Sequence, residues 1–588
     1  MSAADAVAGF AAAVAATSRP EAWIHLVSPE ALAAEAARVD AAVAGGADLP
    51  LAGRLVAVKD NIDVAGCPTT AGAPTFAYRP AADAAAVARL RAAGAIVVGK
   101  TNLDQFATGL VGTRSPYGAV RHAVREDRIS GGSSSGSAVA VALGLVDLAL
   151  GTDTAGSGRV PAALHGLWGL KPTRGLVPTT GVVPACASLD CVTVFCADPG
   201  LAALAVQVMS GPDAGDPLSS RPAAAAPLPS DARRRLVVPT AADLGELAPG
   251  WAERFAHVVD AARAAGLETV ERSIAPLLDA ARMLYESSFV AERYAAVGDH
   301  LEAHRDAIGD AIDPTVARIV LAGAGHSAAA LFADQRALEG YRAAATALLA
   351  DAAAVLTPTT TWHPTLAQVA ADPVGANSRM GRFTNFANLL DMAAVALPAG
   401  SVGEERFGAM LTGHAFSDVR LLELARVISA RTEDGVAVRG VTDGVAAGAR
   451  EPDEVDVFVV GAHRSGQALN SQLTDRGARL VRGAATAPEY RMYALDTVPP
   501  KPGLVRTALE GGSIRGEVWR LPAVGFGTFV DELPAPMAIG SVALDDGSIV
   551  TGFLCEPYAT DGAQDITAAG DWLAWRGSAV FDTCETTM

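Results

Sequence analysis

A chain of 588 residues, half of them apolar, can bury more than one core and is too rich in hydrophobic side chains to stay unfolded. Its net charge is −18, and residues 451–588, with 10 basic against 19 acidic side chains, hold −9 of it, so neither part offers the basic surface that nucleic acid or an anionic membrane requires. Six cysteines (Cys67, Cys186, Cys191, Cys196, Cys555 and Cys584) without a C-x-x-C pair exclude a disulfide scaffold and suit a reducing, cytoplasmic setting.

In chain order, MSAADAVAGFAAAVAAT imitates the apolar part of an export signal, but no Lys or Arg precedes it and Asp5 interrupts it, so it reads as an Ala-rich surface helix. GRLVAVKDN (53–61) reads as a buried strand ending in polar residues. AADAAAVARLRAAG (81–94) reads as a helix closed by Gly94, and AIVVG (95–99) as a second strand. Such alternation predicts α/β layering. A Ser-rich loop around Ser133 then leads into a helix over 137–143, the strand VDLALG (146–151), the loop GTDTAGSGR, and a helix opening at RVPAALHG (159–166). Both hydroxyl-bearing loops border helix or strand ends, where free backbone N–H groups can face an anion. Asp147 cuts the apolar run that starts at Ala138 far short of membrane-spanning length, and no transmembrane helix is expected. CVTVFCA reads as a strand burying small thiols. With no His nearby, the even spacing of Cys186, Cys191 and Cys196 reads as packing, and neither metal nor cofactor is expected.

Residues 250–350 are helical in pattern, AVLTPTTT (354–361) and FTNFANLLDMAAVALPAGS (383–401) return to the core, and DVRLLELARVISART (418–432) is a helix. A stretch rich in Gly, Ala and charge over 432–453 reads as a linker. Short strands with turn signals such as DDG follow, which predicts a second, β-rich α+β domain over 454–588 after a first domain over 1–431.

Three short features carry the chemistry: Lys59 in AVKDN, Ser133 in GGSSSGS, and Ser157 in GTDTAGSGR. Each alone is weak, since a Gly-Ser loop is usually only a loop and a Lys at a strand end is usually solvated. A serine hydroxyl needs a base to become a nucleophile. No His lies in any of the three motifs, and Lys59 is the base at hand if burial beside LVAV lowers its pKa. In this order, with Ser133 lying 74 positions after Lys59 and Ser157 a further 24 on, the three resemble the amidase signature family. NLDQFATGLVGTRSPYG (102–118) and SLDCV (188–192) look like further segments of it, so the resemblance covers most of residues 50–430. It implies an α/β fold with a mixed central sheet covered by helices. It also implies Ser157 as nucleophile, Ser133 as proton relay preceded by a cis peptide bond, Lys59 as base, and an oxyanion hole from the N–H groups of Thr154, Ala155, Gly156 and Ser157.

The family's usual G-G-S-I-R is A-G-S-G-R here, and the loop is similar to that of allophanate hydrolases. VGAHRSGQALNSQL, YRMYALDTVPPKPGLVR and GFGTFVDELPAPMAIGSVALDDGSIVTGFLCE look like the C-terminal domain of that group, whose fold is similar to γ-glutamyl cyclotransferases. The resemblance implies hydrolysis of allophanate to ammonia and carbon dioxide, a homodimer, and a link to a biotin-dependent urea carboxylase or to s-triazine breakdown. It also implies that Tyr285 and Arg293 of YESSFVAERY contact the anionic substrate. Eight positions apart, they fall near one face of a helix, and the alternative is that Arg293 pairs with Glu286 or Glu292 on a solvated face. His463 is either a turn histidine or a group that handles the decarboxylating product, and Cys555 is a packed thiol. The competing functions are an amidase of broader specificity, an amidotransferase-type subunit, and a binding or scaffold protein with a vestigial amidase domain.

Overall fold

The run LVAVK is buried at all five positions, as a strand covered on both faces must be. In the computed structural model, which describes residues 2–220, 232–432, 454–476, 478–497, 500–507 and 510–576, this run is the second of eleven strands in one sheet. The strands are β1 (Trp23–Leu26), β2 (Leu55–Lys59), β3 (Ile96–Thr101), β4 (Leu148–Asp153), β5 (Trp168–Lys171), β6 (Cys191–Cys196), β7 (Arg235–Pro239), β8 (Glu268–Arg272), β9 (Ala354–Pro358), β10 (Ala393–Val402) and β11 (Glu405–Gly413). Their order is β1-β3-β2-β4-β6-β5-β10-β11-β9-β7-β8. Strand β2 runs parallel to both β3 and β4, with Lys59 opposite Thr101 and Val58 opposite Leu150, whereas β4 pairs with β6 antiparallel. The mixed sheet and its helices match the expected α/β layering. Its register sets Lys59 and Asp153 at the carboxyl ends of neighbouring parallel strands, where open α/β sheets bind their ligands.

The N-terminal segment is the helix Ala3–Ala16, and Asp5 serves its first turn by forming a capping box with Ser2. Helix Ser135–Ala142 is built of Ser, Gly, Ala and Val, buried at every position but the last, and these small side chains let it lie against β3 and β4. The segment 383–401 is not one element. A short helix Asn385–Leu389 precedes β10, because Asp391 adopts a positive φ of 55° that no helix sustains. The expected linker falls on residues outside those described except for its first, and Cys584 lies outside them too.

The chain divides into two compact units, Met1–Gly440 and Val441–Met588. The second holds a five-stranded sheet and a three-stranded one, formed by β12 (Glu454–Val459), β13 (Arg479–Ala485), β14 (Tyr490–Leu495), β15 (Lys501–Arg506), β16 (Arg515–Pro522), β17 (Met537–Ala543), β18 (Ile549–Cys555) and β19 (Gln564–Asp565). Their orders are β13-β16-β12-β18-β17 and β15-β14-β19. Phe458, Tyr490, Met492, Val518, Val542 and Trp572 build one of its cores. Among the described residues no single helix is long and apolar enough to cross a membrane.

Candidate active site

Lys59 closes β2 with no exposed surface. Its Nζ lies 2.8 Å from Ser133 Oγ and 2.7 Å from Thr152 Oγ1, and Asn61 Nδ2 donates to the same Thr152 oxygen at 3.3 Å. Burial pulls the amine's pKa down to about 7, although the carboxylates of Asp104, Asp190 and Asp153 favour its charged form. The amine is therefore partly neutral near pH 7 and can accept a proton.

The bond between Gly132 and Ser133 is cis. A side chain on Gly132 would meet Asp104 Oδ2 at 2.2 Å and the Gly112 nitrogen at 2.6 Å, so glycine is what allows the two loops to touch. Asp104 fastens them further: its carboxylate accepts from the N–H groups of Val111, Gly112 and Arg114, and its own N–H donates to the Ser133 carbonyl at 3.1 Å.

Ser157 lies in the loop after β4. Asp153, the last residue of that strand, is paired with Arg159 through two bonds of 2.9 Å, Nε to Oδ2 and Nη2 to Oδ1, both side chains being fully buried. The carboxylate of Asp153 also accepts from the N–H of Gly156 at 2.8 Å and of Gly158 at 3.0 Å, which curls the chain tightly around Ser157. Asn388 completes the hold by donating to the Asp153 carbonyl at 2.7 Å. Gly156 sits at φ +133°, where a Cβ would fall 2.3 Å from Thr384 Oγ1.

Of the N–H groups expected to face an oxyanion, that of Gly156 is directed at Asp153, while those of Ala155 and Ser157 have no acceptor among the described residues. The side chain of Thr154 is held by Asp190, whose other oxygen accepts from the N–H groups of Ala185 and Cys186. Burial lifts the Asp190 carboxyl to about 6. Lys59 and Ser133 are thus in direct contact, whereas the Ser157 hydroxyl donates to the Gly109 carbonyl at 3.3 Å and not to Ser133.

Tyr285 and Arg293 do meet, but not on one helix. Ser287 takes an extended conformation that ends the helix Ala275–Glu286, a short turn Ser288–Val290 follows, and Arg293 belongs to the helix Ala291–Ala303. Arg293 Nη2 donates to Tyr285 Oη at 3.3 Å, and Nη1 donates to Thr108 Oγ1 at 3.0 Å. The alternative of a solvated ion pair fails. Arg293 is 1% exposed, Glu292 accepts from the N–H and hydroxyl of Ser188, and Glu286 faces Arg282 at 3.9 Å. Among the described residues no carboxylate pairs with Arg293, and its buried Nε has no partner. Asp190 and Glu292 act on this guanidinium only at longer range, and a buried cation with no carboxylate in direct contact leaves room for an anion to join it. Thr108, which it touches, precedes Gly109, whose carbonyl holds the Ser157 hydroxyl.

Cys186, Cys191 and Cys196 are buried, and among the described residues no cluster of three or more His, Cys, Asp or Glu side chains could hold a metal. Burial pushes the Cys186 thiol up to about 12. In the second unit His463 lines a cavity of about 210 Å³ together with Gln472, Lys501, Phe529, Glu532 and Phe553. Its Nε2 lies 2.9 Å from Gln472 Oε1 and its ring stacks on Phe553 with centroids 5.1 Å apart. Burial depresses its pKa. Cys555 is a buried thiol, as expected.

A family model described as Amidase matches residues 6–422, and one described as Allophanate hydrolase C-terminal domain matches residues 455–577. The chain is similar to the urea amidolyase of Lachancea kluyveri, 43% identical over 577 residues that cover 94% of this chain and 31% of that protein. It therefore spans about a third of the length of that relative. It is also similar to a glutamyl-tRNA(Gln) amidotransferase subunit of Halobacterium salinarum, 34% identical over 412 residues, covering 66% of this chain and 97% of that one. Among solved structures it resembles the Kluyveromyces lactis allophanate hydrolase with a TM-score of 0.82 and 38% identity, over 98% of this chain and 97% of the other. With the Amidase model spanning most of the first unit and the second unit matched as an Allophanate hydrolase C-terminal domain, the chain belongs to the Amidase family and carries that second domain.

Proposed function

We propose that the chain hydrolyses allophanate through a covalent intermediate on Ser157. The observation that carries this reading is Arg293: a buried, unpaired guanidinium, two residues in contact away from the Ser157 hydroxyl, suits a small amide that brings its own carboxylate. Tyr285 holds the fork in place by accepting from Nη2.

In the reading, the neutral amine of Lys59 takes the proton of Ser133, and Ser133 takes that of Ser157 as the Ser157 oxygen attacks the urea carbonyl. This requires the Ser157 hydroxyl to leave the Gly109 carbonyl and turn toward Ser133; such contacts often tighten only with substrate bound. The N–H groups of Ala155 and Ser157, with Thr154 beside them, face the oxyanion. Each such donor supplies about 3–4 kcal/mol in comparable sites. The C–N bond breaks, ammonia leaves with the relayed proton, and water releases the acyl group as an N-carboxylated carbamate.

The second unit is assigned the later step. Its cavity, with Lys501 for charge and His463 fixed between Gln472 and Phe553, suits a small dicarboxylate that loses carbon dioxide as its nitrogen takes up a proton. A homodimer, a cytoplasmic location and a urea carboxylase as supplier of substrate, in urea rather than s-triazine breakdown, belong to the same proposal; the additional length of the urea amidolyases favours the urea route. The test is ammonia release by the purified chain from allophanate, acetamide, malonamide and glutamine. A clear preference for allophanate is expected. Equal rates on the neutral amides would favour a broader amidase, and glutamine as the preferred substrate would favour a subunit of the amidotransferase type.

A further inference from the structure

A small anion approaching a chain of net charge −18 is repelled by the field of the whole molecule, so its route to Arg293 needs local cations. Tyr285 opens onto a cavity of about 600 Å³ that also contains Asn385. The neighbour of Asn385 in the chain, Thr384, is the residue packed against Gly156 of the nucleophile loop. This cavity therefore abuts both the anion clamp and the loop of Ser157.

Three arginines line it, together with the carboxylates of Glu246, Asp279 and Glu286. Arg282 is already matched, facing Asp279 at 3.6 Å and Glu286 at 3.9 Å. Arg379 and Arg382 are different, for among the described residues neither has a carboxylate within ion-pair distance. Arg379 is exposed and its guanidinium lies 4.2 Å above the Trp362 ring. Arg382 is half-buried, 5.6 Å from the Phe383 ring, with one bond of 2.8 Å from Nη2 to the Asp243 main-chain carbonyl and a buried Nε without a partner. An arginine kept for packing looks otherwise: Arg89 donates to the main-chain carbonyls of Met209, Gly211 and Pro212. Set over aromatic rings, the two guanidiniums are held in place, and the weak hydration of a guanidinium suits exchange of water for a carboxylate. From Arg379 through Arg382 to Arg293 the arginines become progressively more buried.

We propose that Arg379 and Arg382 receive the carboxylate of the substrate in this cavity and pass it inward to Arg293, a role that rests on the reading of Arg293 given above. They are positioning residues: they raise the concentration of anionic substrate at the site and touch no reacting atom.

The experiment compares the wild-type chain with the double variants Arg379→Ala/Arg382→Ala and Arg379→Lys/Arg382→Lys, by ammonia release from allophanate at low and high ionic strength. At low ionic strength the Ala pair should raise KM about tenfold with kcat within about twofold, and the Lys pair should recover most of the loss. Salt should lower kcat/KM of the wild type and leave unchanged or raise that of the Ala pair, in which only the repulsion by the net charge remains to be screened. A fall in kcat at constant KM, or the same salt response in both, would overturn the proposal. Calorimetric titration with malonate separates this proposal from the reading of Arg293. If the wild type releases no ammonia from allophanate, the reading of the active site fails, while malonate bound about tenfold more weakly by the Ala pair still supports the cavity. Malonate bound equally by both chains, or not bound by the wild type, overturns it.

Discussion

Lowering the pH from 8 to 6 should switch off the base, and the structure sets the size of the effect. Lys59 is fully buried, and burial outweighs the pull of Asp104, Asp190 and Asp153 to leave its pKa at about 7. A base works only when deprotonated, so its contribution is present above that value and lost below it. The neutral fraction is about nine-tenths at pH 8, one-half at pH 7 and one-tenth at pH 6, so kcat/KM for ammonia release should fall about tenfold across this range. Thr152→Val sharpens the test. The hydroxyl of Thr152 accepts from Lys59 at 2.7 Å and favours the ammonium. Removing a hydrogen bond to a charged group, worth about 1.5–3 kcal/mol, should shift the acid limb down by about one to two pH units. Lys59→Arg should be inactive at every pH, because a guanidinium does not give up its proton. A flat profile between pH 6 and 8, or an active Arg variant, would refute the assignment of Lys59 as base.

Ser133→Ala should lower kcat by about 10²–10⁴-fold with little change in KM, read from steady-state ammonia release. Arg293→Lys keeps the charge but loses the fork, so KM for allophanate should rise about 10–100-fold while a neutral amide is much less affected; equal loss on both would mark a structural role. Gly156→Ala forces a Cβ toward Thr384 and places alanine at φ +133°, which should cost about 1–3 kcal/mol of stability by denaturant titration and slow turnover as the loop shifts. A chain ending near Arg450 should still release the first ammonia; a folded truncation that releases none would show that the second unit helps to build the amidase site.

The motifs of the first unit were legible because they are local. An apolar run ending in Lys, followed by two loops of small residues at helix and strand ends, locates β2, β4 and the site between them. Residues that act across the fold were not legible. Nothing near Asp104 in the sequence announces that it ties the Ser133 loop, and Asn388 reaches Asp153 from 235 positions further along the chain. The direction of the Gly156 N–H was not legible either, since a backbone N–H there can serve substrate or carboxylate alike and only the curl around Asp153 turns it to a carboxylate. The spacing of Tyr285 and Arg293 led to the right contact by the wrong route. The signal for the break was the Ser-Ser pair: Ser287 Oγ bonds back to the Met283 carbonyl and Ser288 is held by Asp334, which ends one helix before the next begins. In the second unit the alternating strands were readable, but the cavity at His463 joins residues from five separate stretches and no local pattern encodes it.

The central claim, that the Lys59–Ser133–Ser157 site cleaves allophanate through an acyl intermediate, is tested most directly by quenching the enzyme in acid during turnover and locating the adduct by peptide mass spectrometry. The account predicts a carbamoyl group on Ser157, left after the trapped N-carboxyl group loses carbon dioxide, and no adduct in Ser157→Ala, which should release no ammonia. Ammonia release by Ser157→Ala at the wild-type rate, or an adduct on another residue, would contradict it.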